Sequence, residues 1–169
     1  MKIVCISDSH GSEHLVKEVA AMHRTADCLV FCGDGLSDLS CLHNFYGAVC
    51  AVRGNCDYFC DRTANDIFRK FDADGLTVGI THGDRIGVKA GDDYALNYAR
   101  QNNLDILIYG HTHKQTAKTV QTDGKTTRIF NPGSLREGSY GIIEVKNGRI
   151  SMVHRSLFEK NKATQNELL

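Results

Sequence analysis

The sequence has no surplus of charge, no long apolar run, a single proline and no closely paired cysteines, and each lack removes a class of function. Its 20 basic residues cancel its 20 acidic ones. A groove that tracks a polynucleotide normally shows a basic excess, so extended nucleic acid is disfavoured as a partner, while a local basic pocket stays open. No stretch approaches the ~18 apolar residues of a membrane-crossing helix, so no membrane partner is expected. The first residues, Met1-Lys2-Ile3-Val4-Cys5-Ile6-Ser7-Asp8, carry one Lys and too short an apolar stretch for a signal peptide. Seven cysteines with no C-x-x-C spacing point to reduced thiols and a cytoplasmic setting. Four of them, Cys5, Cys28, Cys32 and Cys50, sit in apolar strand-like runs, where free Cys acts as a small hydrophobe. With no linker, repeat or low-complexity stretch, residues 1–169 read as a single domain that buries roughly two-thirds of its unfolded surface.

What is present is an alternation of periods. Lys2–Ser7 reads as a strand; Ser12–Arg24 carries Leu15, Val16, Val19, Ala20 and Met22 at helical spacing; Asp27–Cys32 is a strand again. A short helix over Leu36–Asn44, with Leu39 and Leu42 inward, and a strand at Ala48–Arg53 complete a βαβαβ pattern, which implies parallel strands with right-handed crossovers. Ile67–Asp72 and Leu76–Thr81 flank a turn at Ala73-Asp74-Gly75. Asp92–Asn102 is predicted helical, with Tyr94, Leu96, Tyr98 and Ala99 partly inward, before a strand at Asp105–Tyr109. The last third reads as two antiparallel hairpins, Thr116–Thr122 with Lys125–Phe130 and Tyr140–Val145 with Arg149–His154, turning at Asp123-Gly124 and Asn147-Gly148. Phe158–Leu169 is polar and is expected to fray or form a short surface helix. Two sheets face to face with helices outside fit this order.

Five clusters follow the apolar runs: Asp8-Ser9-His10, Gly33-Asp34, Gly54-Asn55, Thr81-His82-Gly83 and Gly110-His111-Thr112-His113. Each would sit at the carboxyl end of a strand, where open α/β sheets gather their ligand sites. Together they offer two carboxylates, four imidazoles and one amide oxygen, a donor set suited to manganese, iron, zinc or nickel. Glycines beside Asp34 let the backbone turn sharply, and a carboxylate there can bridge two ions about 3.5–4 Å apart, the spacing used for displacement at phosphorus. The other imidazoles, His14, His23, His43 and His154, lie outside the clusters and read as ordinary surface or partly buried groups.

In that order, D-x-H, G-D, G-N, H and G-H-x-H, the clusters resemble the calcineurin-like metallophosphoesterase superfamily. Asn131-Pro132-Gly133-Ser134 and the small size narrow the likeness to the compact YfcE-type phosphodiesterases. The resemblance runs from residue 1 to about Val145. It implies an α/β fold, a four-layer αββα sandwich with two mixed sheets and the metal site at the strands' carboxyl ends. It also implies two divalent ions, manganese by preference. Asp8, His10, Asp34 and His113 would hold the first; Asp34 would bridge to the second, completed by Asn55, His82 and His111. Cys56 stands where many members of the superfamily carry a His that aids the leaving group, and Ser37 stands where purple acid phosphatases carry an iron-binding Tyr.

The expected activity is hydrolysis of small phosphodiesters by a hydroxide held between the ions. Arg53 either adds a guanidinium to the phosphate or points to solvent from a strand end. A diester, with one charge, would meet less repulsion from Asp57 and Asp84 than a monoester dianion. Lys114, Gln115, Asp57 and Tyr58 are candidates for the entrance. Asn131-Pro132-Gly133-Ser134 reads first as a rigid turn. The rival function is a protein-interaction scaffold on the same fold, as in the retromer vacuolar-sorting subunit. A nuclease is the other rival, disfavoured by charge and size. A homodimer or higher homo-oligomer is common in the resembled subgroup.

Overall fold

The structure, a computed structural model, describes residues 1–58 and 66–158. The polar tail after Phe158, and Cys60, lie outside the described residues.

Among the described residues, ten strands form two five-stranded sheets. The first contains β1 (Lys2–Ile6), β2 (Cys28–Phe31), β3 (Ala48–Ala51), β9 (Ser139–Lys146) and β10 (Arg149–Ser156) in the order β10-β9-β1-β2-β3. The second contains β4 (Phe68–Ala73), β5 (Leu76–Thr81), β6 (Ile106–Tyr109), β7 (Thr116–Thr122) and β8 (Lys125–Asn131) in the order β4-β5-β6-β8-β7. Helix α1 (Glu13–Met22) covers the outer face of the first sheet and α2 (Asp92–Gln101) that of the second.

Period-2 alternation assigns each strand residue to a layer. Ile3, Cys5, Cys28, Val30 and Cys32 point between the sheets and meet Val78, Ile80, Ile106, Ile108 and Phe130. Their neighbours Val4, Ile6, Leu29 and Phe31 point outward onto Leu15, Val16, Val19 and Ala20 of α1. On the far side Leu107, Tyr109 and Ile129 take Ala95, Leu96 and Ala99 of α2. The result is α–β–β–α, with buried thiols in the middle acting as small hydrophobes. Burial pushes the Cys5 and Cys32 thiols well above their ordinary pKa, so both stay neutral.

The strand directions follow from the connections. β1, β2 and β3 pair in parallel through α1 and the 3-10 helix Leu36–Asn44, and β5, β6 and β8 pair in parallel in the other sheet. Three hairpins close through an Asx-Gly pair, both residues at positive φ: Asp74-Gly75, Asp123-Gly124 and Asn147-Gly148. The two hairpins of the last third go to opposite sheets, and β8 adds to β6 in parallel rather than continuing an antiparallel sheet. Two side chains differ from expectation. Tyr94 faces solvent, with Ala95 taking the inward position, and Met22 at the end of α1 is exposed. Helical spacing leaves one residue of uncertain side at each end of an apolar stripe, and the aromatic ring or long thioether tolerates water there.

Candidate metal centre

The parallel strands of both sheets end at one rim, and the loops that leave them carry the five clusters. The backbone at this rim is unusual. Nine described non-glycine residues have positive φ, and five of them are Asp8, His10, Asp34, His111 and His113. The other four, Asp74, Asn103, Asp123 and Asn147, are Asp or Asn, which visit that region most easily. Histidine held at φ 44, 68 and 59 is strained by about 1–3 kcal/mol each, and such strain persists where the surroundings over-determine it. The turns aim side chains from different strands at a common point.

Each carboxylate is tied by one oxygen and presents the other. Asp8 is fully buried; its Oδ2 accepts from Ser7 Oγ at 2.6 Å and from the His111 backbone N–H at 3.1 Å. Its Oδ1 receives no hydrogen bond, although it lies 3.2 Å from His113 Nε2 and 3.9 Å from His10 Nε2. His10 and His113 bring their Nε2 atoms to 3.3 Å of one another. These three donors make the outer group.

Asp34 repeats the arrangement. Its Oδ1 accepts the Cys56 N–H at 2.7 Å, while Oδ2 stands 3.3 Å from His82 Nε2 and 4.0 Å from His10 Nε2, between the two groups. His82 Nδ1 is 2.7 Å from the Cys32 carbonyl, which can only accept, so Nδ1 carries a hydrogen and, in the neutral ring, Nε2 keeps a lone pair. That lone pair faces Asp34 Oδ2, Asn55 Oδ1 at 3.2 Å and His111 Nδ1 at 3.2 Å. Two oxygens and two ring nitrogens converging in a buried place repel each other unless a cation or a proton sits among them.

Burial alone would lower the His82 pKa, but the bonded Asp34 carboxylate and the Asp8 charge outweigh it and raise it. Burial opposes the charge of Asp34, yet His82 and the Cys56 N–H hold it well below the usual carboxylate range. His111 is lowered, by burial first and then by the charges of His82 and Lys89. The donor chemistry and the orphaned Asp8 Oδ1 therefore fit divalent cations.

All seven residues expected as ligands are brought together: Asp8, His10 and His113 in one group, Asp34, His82 and His111 in a second, with Asn55 beside the second. A third grouping joins Cys56 to His10 and Asp34. Loss of solvent and the Asp34 carboxylate push the Cys56 thiol up to about 11, so it is a neutral, poor ligand. Arg53 lies half-exposed in a small hollow with Asn55, Asp84 and Arg85, and no described carboxylate pairs with it. His14 and His43 are exposed; His23 meets the Tyr140 hydroxyl, and none of the three joins the centre.

Several supporting residues were not foreseen. Asp57, expected at the entrance, is buried, and its carboxylate accepts four backbone N–H groups, of Asp34, Gly35, Leu36 and Gly54, at 2.8–2.9 Å. It shapes the loop that aims Asp34 and Asn55. Asp38 does the same for the first loop, taking Ser9 Oγ at 2.6 Å and the Gly11 N–H at 2.9 Å. Asn131 Nδ2 donates to the Gly110 carbonyl and to Thr112 Oγ1, while Ser134 Oγ donates to the Asp8 carbonyl at 3.0 Å. The Asn131–Ser134 turn therefore clamps loops from both sheets. His154 supports it, donating to the Asn131 carbonyl at 2.9 Å and stacking on Phe130. The loops are too close for side chains: a Cβ on Gly54 would lie 2.1 Å from Asp34 Oδ1, and one on Gly110 would lie 1.9 Å from Ser7 Oγ. The only available signal for Asp57 was a carboxylate two residues past Asn55 among small residues.

The calcineurin-like phosphoesterase superfamily domain matches residues 1–148, nearly the whole chain. The chain belongs to that superfamily. Membership supports a metal-binding hydrolase of phosphate esters working with divalent ions. The probable metallophosphoesterase YsnB of Bacillus subtilis strain 168 is 29% identical over 154 residues, which cover 87% of this chain and 86% of that protein. Among solved structures, Vps29 of Entamoeba histolytica complexed with zinc has a TM-score of 0.75 at 21% identity, covering 95% of this chain and 94% of that one. An archaeal phosphodiesterase has a TM-score of 0.69 at 20% identity, covering 92% and 100%. At those identities the two structures establish the shared sandwich alone. Among the described residues, no helix is long and apolar enough to cross a membrane.

Proposed function

We propose that this phosphoesterase is a dinuclear, manganese-preferring phosphodiesterase of small substrates. The convergence of Asp34 Oδ2, His82 Nε2, Asn55 Oδ1 and His111 Nδ1 carries this reading, because a shared cation relieves the repulsion of oxygens and ring nitrogens gathered in one buried place. Asp8, His10 and His113 would hold one ion, and Asp34 would share its free oxygen with both. When bound, the ions lower the pKa of a coordinated water and polarise the phosphoryl oxygens.

The protein's own residues do the rest. Ser7, His111 N–H and Cys56 N–H fix which carboxylate oxygen points inward. Cys32 fixes the His82 tautomer. Asn55 contributes an uncharged oxygen, which leaves the centre cationic enough for an anionic ester. Asp84 and Arg53 share the hollow beside Asn55. A nearby carboxylate weighs against a dianionic monoester more than against a monoanionic diester, and Arg53 would add a guanidinium for a phosphate oxygen. No imidazole stands at Cys56, and its neutral thiol is a weak acid, so esters with good leaving groups are favoured.

The test is hydrolysis of bis-p-nitrophenyl phosphate by metal-stripped protein before and after Mn²⁺ is added, with Asp34→Asn beside it. Mn²⁺-dependent turnover that the variant lacks, faster than with p-nitrophenyl phosphate, is the expected result. Folded protein inactive with every divalent metal would overturn it in favour of a protein-interaction scaffold, the reading that the likeness to Vps29 supports.

A further inference from the structure

Among the described residues, three of the hollows beside the candidate centre differ in charge and size. The one between His10, Asp34 and Ser37, about 410 Å³, has no cationic lysine or arginine in its wall. The one holding Arg53 and Arg85 measures only about 30 Å³, room for little more than a water molecule. The third, about 460 Å³, borders Thr112, the residue between His111 and His113, and its wall carries Lys89 and Lys114.

The one carboxylate in that wall, Asp92, is already engaged. Lys118 Nζ lies 2.5 Å from its Oδ2, and the Tyr109 hydroxyl donates to its Oδ1 at 3.4 Å. Asp84 belongs to the Arg53 side. Lys89 and Lys114 thus face the cavity with no carboxylate partner among the described residues. Both are anchored to the loops that carry the imidazoles. Lys114 follows His113, and its N–H donates to Thr112 Oγ1 at 3.3 Å. Lys89 sits in the 3-10 turn Val88–Ala90, whose buried Val88 packs against Gly83, the residue after His82.

A diester phosphorus at the centre has two ester arms. An arm laid along Thr112 enters the cationic cavity, whose volume suits a nucleoside-sized group. The arm on the His10 side meets no such charge. Resting on the phosphodiesterase reading above, we propose that the preferred substrates carry a phosphate monoester on one arm, received by Lys89 and Lys114 beside the metal centre. Solvated surface lysines without a ligand are the competing explanation.

The experiment compares two esters with one leaving group, thymidine 5′-(p-nitrophenyl phosphate) and the same compound bearing a 3′-phosphate, using Mn²⁺-loaded protein. The added phosphate should raise kcat/KM about tenfold, mainly through KM, and the gain should shrink as salt is added. In the Lys89→Gln/Lys114→Gln double variant the ratio between the two esters should fall towards one. Lys125→Gln, at the start of β8 beside the distant Asp123-Gly124 turn, should keep the parent ratio. A ratio near one in the parent protein, or one that survives the double substitution, overturns the proposal while leaving the phosphodiesterase reading intact. Failure to hydrolyse either ester with any divalent metal removes that reading, and the proposal with it.

Discussion

In the inner group His82 and Asp34 are buried and tied to backbone groups, whereas in the outer group only Asp8 is buried and held, and the His10 and His113 rings reach solvent and meet one another. The His82 side chain has no exposed surface and Asp34 only 4%, but His10 has 21% and His113 40%. His82 is oriented by the Cys32 carbonyl and Asp34 by the Cys56 N–H. Neither His10 nor His113 has a described partner that fixes its other ring nitrogen. The difference teaches that the two groups differ in how far folding alone sets them, and on the dinuclear reading the outer one would be finished by its ion. A preorganised set of donors spends less ordering entropy on an ion than a mobile set does. The inner position should therefore fill first and empty last.

Substitutions that act on one half at a time break this comparison most sharply. His82→Ala should lower kcat/KM at least about a thousandfold and abolish the tighter of two Mn²⁺ binding steps in calorimetry. His113→Ala should also lose activity yet keep the tight step. Equal loss of both steps in both variants would show that the halves are not independent.

Asp57→Asn attacks the inner half from behind. The new amide would place N–H donors against backbone N–H donors, costing about 3 kcal/mol and lowering Tm by roughly 10 °C in thermal denaturation. Loss of activity with an unchanged Tm would contradict the supporting role. Next in size, Asn131→Ala frees the loop after β6, on which His111 and His113 ride. Mn²⁺ affinity should fall about 10–100-fold, with a smaller change in stability. An unchanged affinity would mean that Gly110 and Thr112 hold the loop alone.

The smallest effect concerns the layer between the sheets. The Cys28 pKa is pushed up to about 12, by burial first and then by the charge of Cys50. A raised folded-state value means that its contribution is complete below the unfolded thiol pKa near 9 and is lost as pH rises towards 12. Urea midpoints should fall over that window, and Cys28→Val should flatten the fall. A midpoint independent of pH there would show that the thiol has water access.

Much of the sandwich was legible from local pattern. Alternation at Ile3-Val4-Cys5-Ile6 and spacing at Leu15, Val16, Val19 and Ala20 put each side chain on its layer, because burial of apolar faces has the period of the element that carries it. The ligand candidates were legible because each follows a strand and belongs to a chemical type with few other uses in that place. Residues that act across the chain were not. Asp57 looks like any polar residue near a mouth until Gly35, Leu36 and Gly54 are seen around its oxygens. Asn131 looks like part of a turn until Gly110 and Thr112 arrive from another strand.

The sequence by itself determined the elements, the alternation that builds four layers, and the types and order of the donors at the strand ends. These depend on periodicity and on chemistry that travels with each residue. Only the tertiary structure decided which hairpin joined which sheet, and which oxygen of Asp8 and of Asp34 was left bare. It also decided that Lys89 and Lys114 share one cavity. Those outcomes depend on hydrogen bonds and charges between segments far apart in the chain, whose distances are fixed when the sheets pack.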